Sequence, residues 1–225
     1  MNPLLRRDLP YRVTDFAPVA HLAVLPFAVT VRQGLPWTMA DFVAHVRANP
    51  GRVSVGNSGP GAALHLAAAQ IGQRLGLDWI HVTYRGDAQQ VNDLLAGTLD
   101  VAMLGGPPAL AAERSGRARI IGWTSPARLP HLPDHPVFAE TWPGLALVGW
   151  FGLHVPARTP PEAIARLNAE AIAALAGDPA LRERLVGEGL IVAPPRSPAE
   201  FAAFLDSETQ RLAPVIEGLR GSLAP

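Results

Sequence analysis

The stretch Val53-Ser54-Val55-Gly56-Asn57-Ser58-Gly59-Pro60-Gly61-Ala62-Ala63-Leu64-His65-Leu66 ends a β-type run on a glycine, turns through a small polar loop and opens an apolar helical run. Three chemistries use glycines or a serine in that setting. A hydrolase nucleophile elbow needs G-x-S-x-G, and Gly56-Asn57-Ser58-Gly59-Pro60 puts proline where the second glycine belongs. The histidines that could serve Ser58 as a base (His65, His81, His131, His135 and His154) have no distinctive context. A dinucleotide fingerprint fails at its third glycine in Gly59-Pro60-Gly61-Ala62-Ala63-Leu64, and a phosphate-binding P-loop fails because the chain contains no lysine. What remains is an anion site. Backbone N–H groups at the helix start would act with Asn57 and Ser58 as side-chain donors, and the helix dipole would add roughly 0.3–1 kcal/mol. The alternative is a glycine-rich turn with Ser58 as N-cap, and the residues alone leave both open.

Two further loops have the same character. Thr83-Tyr84-Arg85-Gly86-Asp87 ends a β-type run, with the Tyr84 hydroxyl and the Arg85 fork able to meet a carboxylate. The plainer reading has Asp87 capping the next helix and Arg85 solvated. Leu104-Gly105-Gly106-Pro107-Pro108 leaves room for a ligand at its glycines and starts a helix at its prolines. In open α/β sheets ligands bind at the carboxyl ends of strands, where these loops are expected to converge.

Other chemistries are disfavoured. Zero cysteines exclude thiol catalysis, thiolate metal sites and disulfides. The absence of lysine excludes Schiff-base catalysis, so no cofactor is expected. His131 and His135 stand four apart, but Pro133 argues against a helix presenting both to a metal. A net charge of zero and scattered tryptophans give no nucleic-acid signature. No apolar run approaches the ~18 residues of a membrane span, and Met1–Ala20 lacks the apolar stretch of a signal peptide.

The elements that must hold these loops follow from periodicity and punctuation. Residues 1–18 are predicted irregular, and 21–32 β-rich but broken by Pro26. Thr38-Met39-Ala40-Asp41 is a capping box opening a helix to about Ala48. From 53 to 124 strands (53–55, 79–84, 99–104, 118–124) alternate with helices (62–75, 88–96, 108–115), the rhythm of βαβ units and a parallel sheet. Residues 145–155 form a long β-type run, in which Trp150 and Phe151 read as core or pocket wall. Helices at 160–175, 179–188 and 197–219 and a short strand at 191–193 complete the chain.

In this order the motifs resemble the extracytoplasmic substrate-binding proteins of tripartite tricarboxylate transporters, the Bordetella uptake gene (Bug) family. The resemblance rests on Tyr11–Val19, Ala48-Asn49-Pro50-Gly51, Gly56-Asn57-Ser58-Gly59, His81-Val82-Thr83-Tyr84-Arg85-Gly86 and Asp93-Leu94-Leu95-Ala96-Gly97. It continues through Leu99-Asp100-Val101, Thr124-Ser125-Pro126-Ala127-Arg128, Trp150-Phe151-Gly152-Leu153, Thr159-Pro160 and Ala165-Arg166-Leu167-Asn168. It implies a two-lobed α/β fold of the type II periplasmic-binding-protein kind, each lobe a mixed or parallel sheet flanked by helices. The second lobe would span 33–144, and 1–32 plus 145–225 would be the remaining part of an incomplete first lobe. The implied function is capture of a small organic carboxylate in the periplasm, without chemistry, by closure of the lobes, and delivery to a membrane permease. The implied ligand contacts are Asn57, Ser58, Gly59, Gly61 and Ala62, then Tyr84, Arg85, Gly86, Gly105 and Gly106, with Phe151 on the hinge side.

Two departures stand out. The family's N-terminal glycine-rich loop, which holds one end of the ligand, has no counterpart in the chain, and Asp87 replaces what is more often a small residue. The competing readings are therefore a truncated, non-binding receptor fragment and, less favoured, a serine hydrolase using Ser58.

Overall fold

The computed structural model describes residues 9–35, 37–59 and 61–218. Pro60, the first eight residues and the expected helix end at Leu219 lie outside them. The strands are β1 (Phe16–Arg32), β2 (Ser54–Asn57), β3 (Ile80–Thr83), β4 (Val101–Gly105), β5 (Ala118–Trp123), β6 (Val148–Pro156) and β7 (Ile191–Val192). The helices are α1 (Met39–Ala48), α2 (Ala63–Leu75), α3 (Asp87–Ala96), α4 (Gly106–Arg114), α5 (Phe138–Thr141), α6 (Pro161–Gly177), α7 (Pro179–Gly187) and α8 (Pro198–Gly218).

Among the described residues the chain divides into two compact units, one comprising Pro26–Gly149 and the other residues 9–25 and 150–218. The larger unit exceeds the expected 33–144 on both sides for packing reasons. The second half of β1 pairs with β4 and β5, and Leu145 and Leu147 are buried, with the Leu147 N–H donating to the Thr124 carbonyl at 3.0 Å.

In the larger unit the strand order is β3-β2-β4-β1-β5. β2 runs parallel to β3 (Asn57 opposite Thr83) and to β4 (Gly56 opposite Ala102). β1 is antiparallel to β4 (Phe27 opposite Gly105) and to β5 (Ala28 opposite Trp123). The sheet is therefore mixed. The alternation of strands and helices foretold a parallel set, but β1, from far away in sequence, inserts between β4 and β5. Its residues Phe27, Ala28, Val29 and Val31 are essentially inaccessible, as the central strand of a covered sheet requires. The helix α2 is buried on almost every side. Ala67, Ala68 and Ala69 let it lie close against the sheet, while Leu66 and Ile71 fill the core. Thr38 and Asp41 cap α1 reciprocally, the Thr38 N–H donating to Asp41 Oδ2 at 3.0 Å and the Asp41 N–H to Thr38 Oγ1 at 3.2 Å.

Pro26 does not break β1. The strand pairs with β7 at Ala23 and Val24 and with β4 and β5 from Phe27 onward. Pro26 falls at the changeover, where its missing N–H costs no ladder bond. In the smaller unit α6 is fastened by Asn168, whose side-chain amide donates to the carbonyls of Val19 (2.7 Å) and Arg196 (2.9 Å). Ser197 and Glu200 form the second capping box, at the start of α8. No helix among the described residues is long and apolar enough to cross a membrane.

Candidate functional site

β2, β3 and β4 are adjacent and parallel, so the loops after Asn57, Thr83 and Gly105 leave one edge of the sheet. β5 ends on that edge too, and Thr124 locks it to β1. The Phe27 N–H donates to Thr124 Oγ1 (3.0 Å), and the Thr124 N–H donates to the Phe27 carbonyl (2.9 Å). Thr124 and Ser125 are buried polar residues that the sequence reading kept outside the site. Their roles are internal, with Ser125 Oγ donating to the Ala127 carbonyl at 2.8 Å.

The first loop differs in detail from expectation. Asn57 is fully buried and spends its side chain on the loop itself, its Oδ1 accepting from the Gly59 N–H at 3.0 Å. It is an internal brace and not a free donor. Ser58 is not the N-cap; Ala62 is, four residues on, with no side-chain oxygen to offer. Gly59 (φ +104°) and Gly61 (φ +73°) are in the left-handed region, which accounts for two glycines in so short a turn. The α2 N-terminus is therefore a first turn without a side-chain cap at its N-cap, where Ala63 and Leu64 have no intrahelical partner for their N–H groups. Ser58 is half-buried and forms no hydrogen bond to a histidine among the described residues.

A histidine pair lies beneath this loop. His65 Nδ1 accepts from the Gly61 N–H at 3.2 Å, so its proton resides on Nε2, which is buried without a partner. Burial lowers the His65 pKa, keeping the ring neutral. The His81 ring stands 4.8 Å from it, centroid to centroid. Trp79 Nε1–H points at His81 Nε2 (3.3 Å) and the Asn57 amide nitrogen at His81 Nδ1 (3.4 Å). A neutral imidazole has one acceptor nitrogen, so it can take a hydrogen bond from only one of these donors at a time. Burial and then the His65 neighbour push the His81 pKa down to about 4, and protonation would set N–H against N–H on both sides.

The second loop is also partly self-satisfied. The Tyr84 hydroxyl donates to Asp93 Oδ2 at 2.8 Å, and burial with this bond pushes its pKa up to about 12. It braces α3. Arg85 is exposed and forms no ion pair among the described residues. Gly86, not Asp87, is the N-cap of α3. The Asp87 carboxylate turns inward instead, with Oδ1 accepting from the Gln90 amide at 3.3 Å. Burial raises its pKa, and the Gly105 N–H, facing it from the end of β4, acts in the opposite sense. The third loop offers less than its glycines suggested, because Pro107 and Pro108 remove two of the first N–H groups of α4 and Asp87 faces that of Gly105. Phe151, about half exposed, belongs to the other compact unit.

No group of three or more His, Cys, Asp or Glu is gathered among the described residues, and His131 and His135 lie in a turn, with His135 Nε2 2.8 Å from Glu113.

Residues 1–220 match the sequence model of the tripartite tricarboxylate transporter family receptors. The chain belongs to that family. A UPF0065 protein from the tcbD–tcbE intergenic region of Pseudomonas sp. (strain P51) is 34% identical over 211 residues, covering 90% of this chain and 61% of that protein. The family member thus spans about three-fifths of the length of this curated relative. A Rhodopseudomonas palustris protein solved with adipate superposes with a TM-score of 0.87 at 28% identity, over 96% of this chain and 73% of its own. MatC from Rhodopseudomonas palustris, solved with bound malate, gives 0.83 at 28% identity, over 96% and 74%. These likenesses agree with the α/β architecture of mixed sheet and flanking helices, and with a partial two-lobed fold.

Proposed function

We propose that this receptor-family chain is an extracytoplasmic solute-binding protein that captures a small organic carboxylate for a tripartite tricarboxylate-type transporter and performs no chemistry on it. The observation that carries the reading is the α2 N-terminus, which opens on the carboxyl edge of β2 without a side-chain cap. Its free N–H groups and dipole suit one carboxylate, with the Ser58 hydroxyl as a nearby donor and the Gly86 and Gly106 amides on the neighbouring loops. Arg85 at the rim attracts the anion. Adipate and malate in the solved relatives support the ligand class. Family membership supports periplasmic localisation and a membrane permease as partner.

Titration calorimetry against a panel including adipate and malate tests the proposal. Saturable binding is expected, weakened about tenfold or more by Ser58→Ala, the loss of one hydrogen bond to a charged group. Turnover of a carboxylic ester abolished by that substitution would overturn it in favour of a hydrolase. Absence of heat with every acid would overturn it in favour of a non-binding receptor fragment.

A further inference from the structure

The three helix N-termini on the binding edge are not equivalent. That of α2 has no resident anion. Those of α3 and α4 share one, because Asp87 begins α3 while its carboxylate faces the Gly105 N–H at the start of α4. β2 lies between β3 and β4 in the sheet. A side chain that starts after β3 and faces the end of β4 therefore passes over the end of β2, the strand whose loop leads to the α2 donors. With neighbouring strands about 4.8 Å apart, a ligand of small-acid length suffices to reach from the end of one strand to that of the next.

Two features mark Asp87 as more than a structural acid. It is half-buried, yet no cation pairs with it among the described residues. Its one side-chain partner, Gln90, is wholly buried, gives its amide N–H to Asp87 and leaves its own Oε1 without any partner. That oxygen is held near the end of β2, where a Cβ on Gly56 would come within 3.0 Å of it. The edge thus presents a free set of N–H donors at α2 and, beside it, a carboxylate lacking a counter-charge. A second ligand carboxylate placed here would meet Asp87 in like-charge repulsion. An ammonium group would meet acceptors.

We infer that Asp87 sets the specificity of the site, so that the α2 amides take the ligand carboxylate, Asp87 takes a protonated amino group, and the preferred ligand is an amino-carboxylic acid and not a dicarboxylate. The inference rests on the carboxylate-receptor reading. It divides that class by the charge of the second group.

The test is calorimetry with pairs that differ only in that group: adipate against 5-aminopentanoate, and malate against 3-amino-2-hydroxypropanoate. The native chain should bind the amino member of a pair about tenfold or more tighter. Asp87→Asn and Asp87→Ser should each reverse the order, costing the amino acid about tenfold and improving the dicarboxylate. Melting temperatures near the native value show that the variants fold, and the second variant guards against failure of the first. The inference is overturned if the native chain prefers the dicarboxylates, or if both variants leave the amino-acid affinity within about twofold. If dicarboxylates bind while amino acids do not, the receptor reading survives and this one fails. If none of the probes binds, both fail.

Discussion

The Gly61 N–H donates to His65 Nδ1 at 3.2 Å, tying the turn before α2 to the third residue of that helix. The contact resembles a capping box shifted by one residue, the N3 imidazole reaching back to the N–H before the N-cap Ala62, where glutamate or glutamine would take that of the N-cap itself. His65→Ala should therefore cost about 2–3 kcal/mol, through a cavity and a buried N–H left unpaired. His65→Gln should recover a good part of that loss. Urea unfolding of the two variants measures the difference, and equal losses would show that His65 acts by bulk alone.

Acid should weaken the fold through its histidines. His81 is depressed to about 4 by burial and by His65, and His21 to about 4 by burial and by Arg196, against 6.5 when exposed. Below 6.5 the unfolded chain takes up protons that the folded chain refuses, so stability is complete above that pH and is lost progressively towards 4. Asp87, raised by burial, contributes in the opposite sense from 3.8 upward. The histidine contribution is isolated by His81→Gln, whose urea midpoint should vary less between about pH 7 and pH 5 than that of the native chain. An unchanged slope would refute the assignment to His81.

Gly56 is required by close approach, since a Cβ there would stand 2.8 Å from Leu99, 3.0 Å from Gln90 and 3.1 Å from Tyr84. Gly56→Ala should destabilise by about 1–3 kcal/mol, because these closely packed side chains must shift to admit the methyl. Thermal unfolding provides the measure, and a neutral result would mean that the Leu99 and Tyr84 side chains yield freely.

Tyr84→Phe separates bracing from binding. Loss of the 2.8 Å bond to Asp93 should lower stability by about 1 kcal/mol. Ligand affinity should stay within about twofold if the hydroxyl is committed to Asp93, and a tenfold loss would return Tyr84 to the ligand.

The loops were legible because glycine and proline mark where strands stop: Gly56, Gly86 and Gly105-Gly106 stand at the ends of strands that prove to be parallel neighbours. Local capping was equally plain at Thr38 and Ser197. The place of β1 was not, because its antiparallel pairing with β4 and β5 joins residues about 70 to 95 apart in sequence, and nothing in the local pattern specifies such partners. Pro26 misled for the same reason, its harmlessness depending on a change of neighbour. At the site, residue type picks out loops that share one sheet edge but does not show how individual side chains are used. Asn57 and Tyr84 have the chemistry to hold a ligand, but the fold uses both internally, whereas Asp87 was read as a cap and turns inward.

The crowding of donors around His81 has one more consequence. Two N–H groups compete for a single lone pair, so one arrangement bonds Trp79, another bonds Asn57, and the tally is the same in both. The base of the loop is thus degenerate, and it always holds one surplus donor that can be recruited without sacrificing a bond already made.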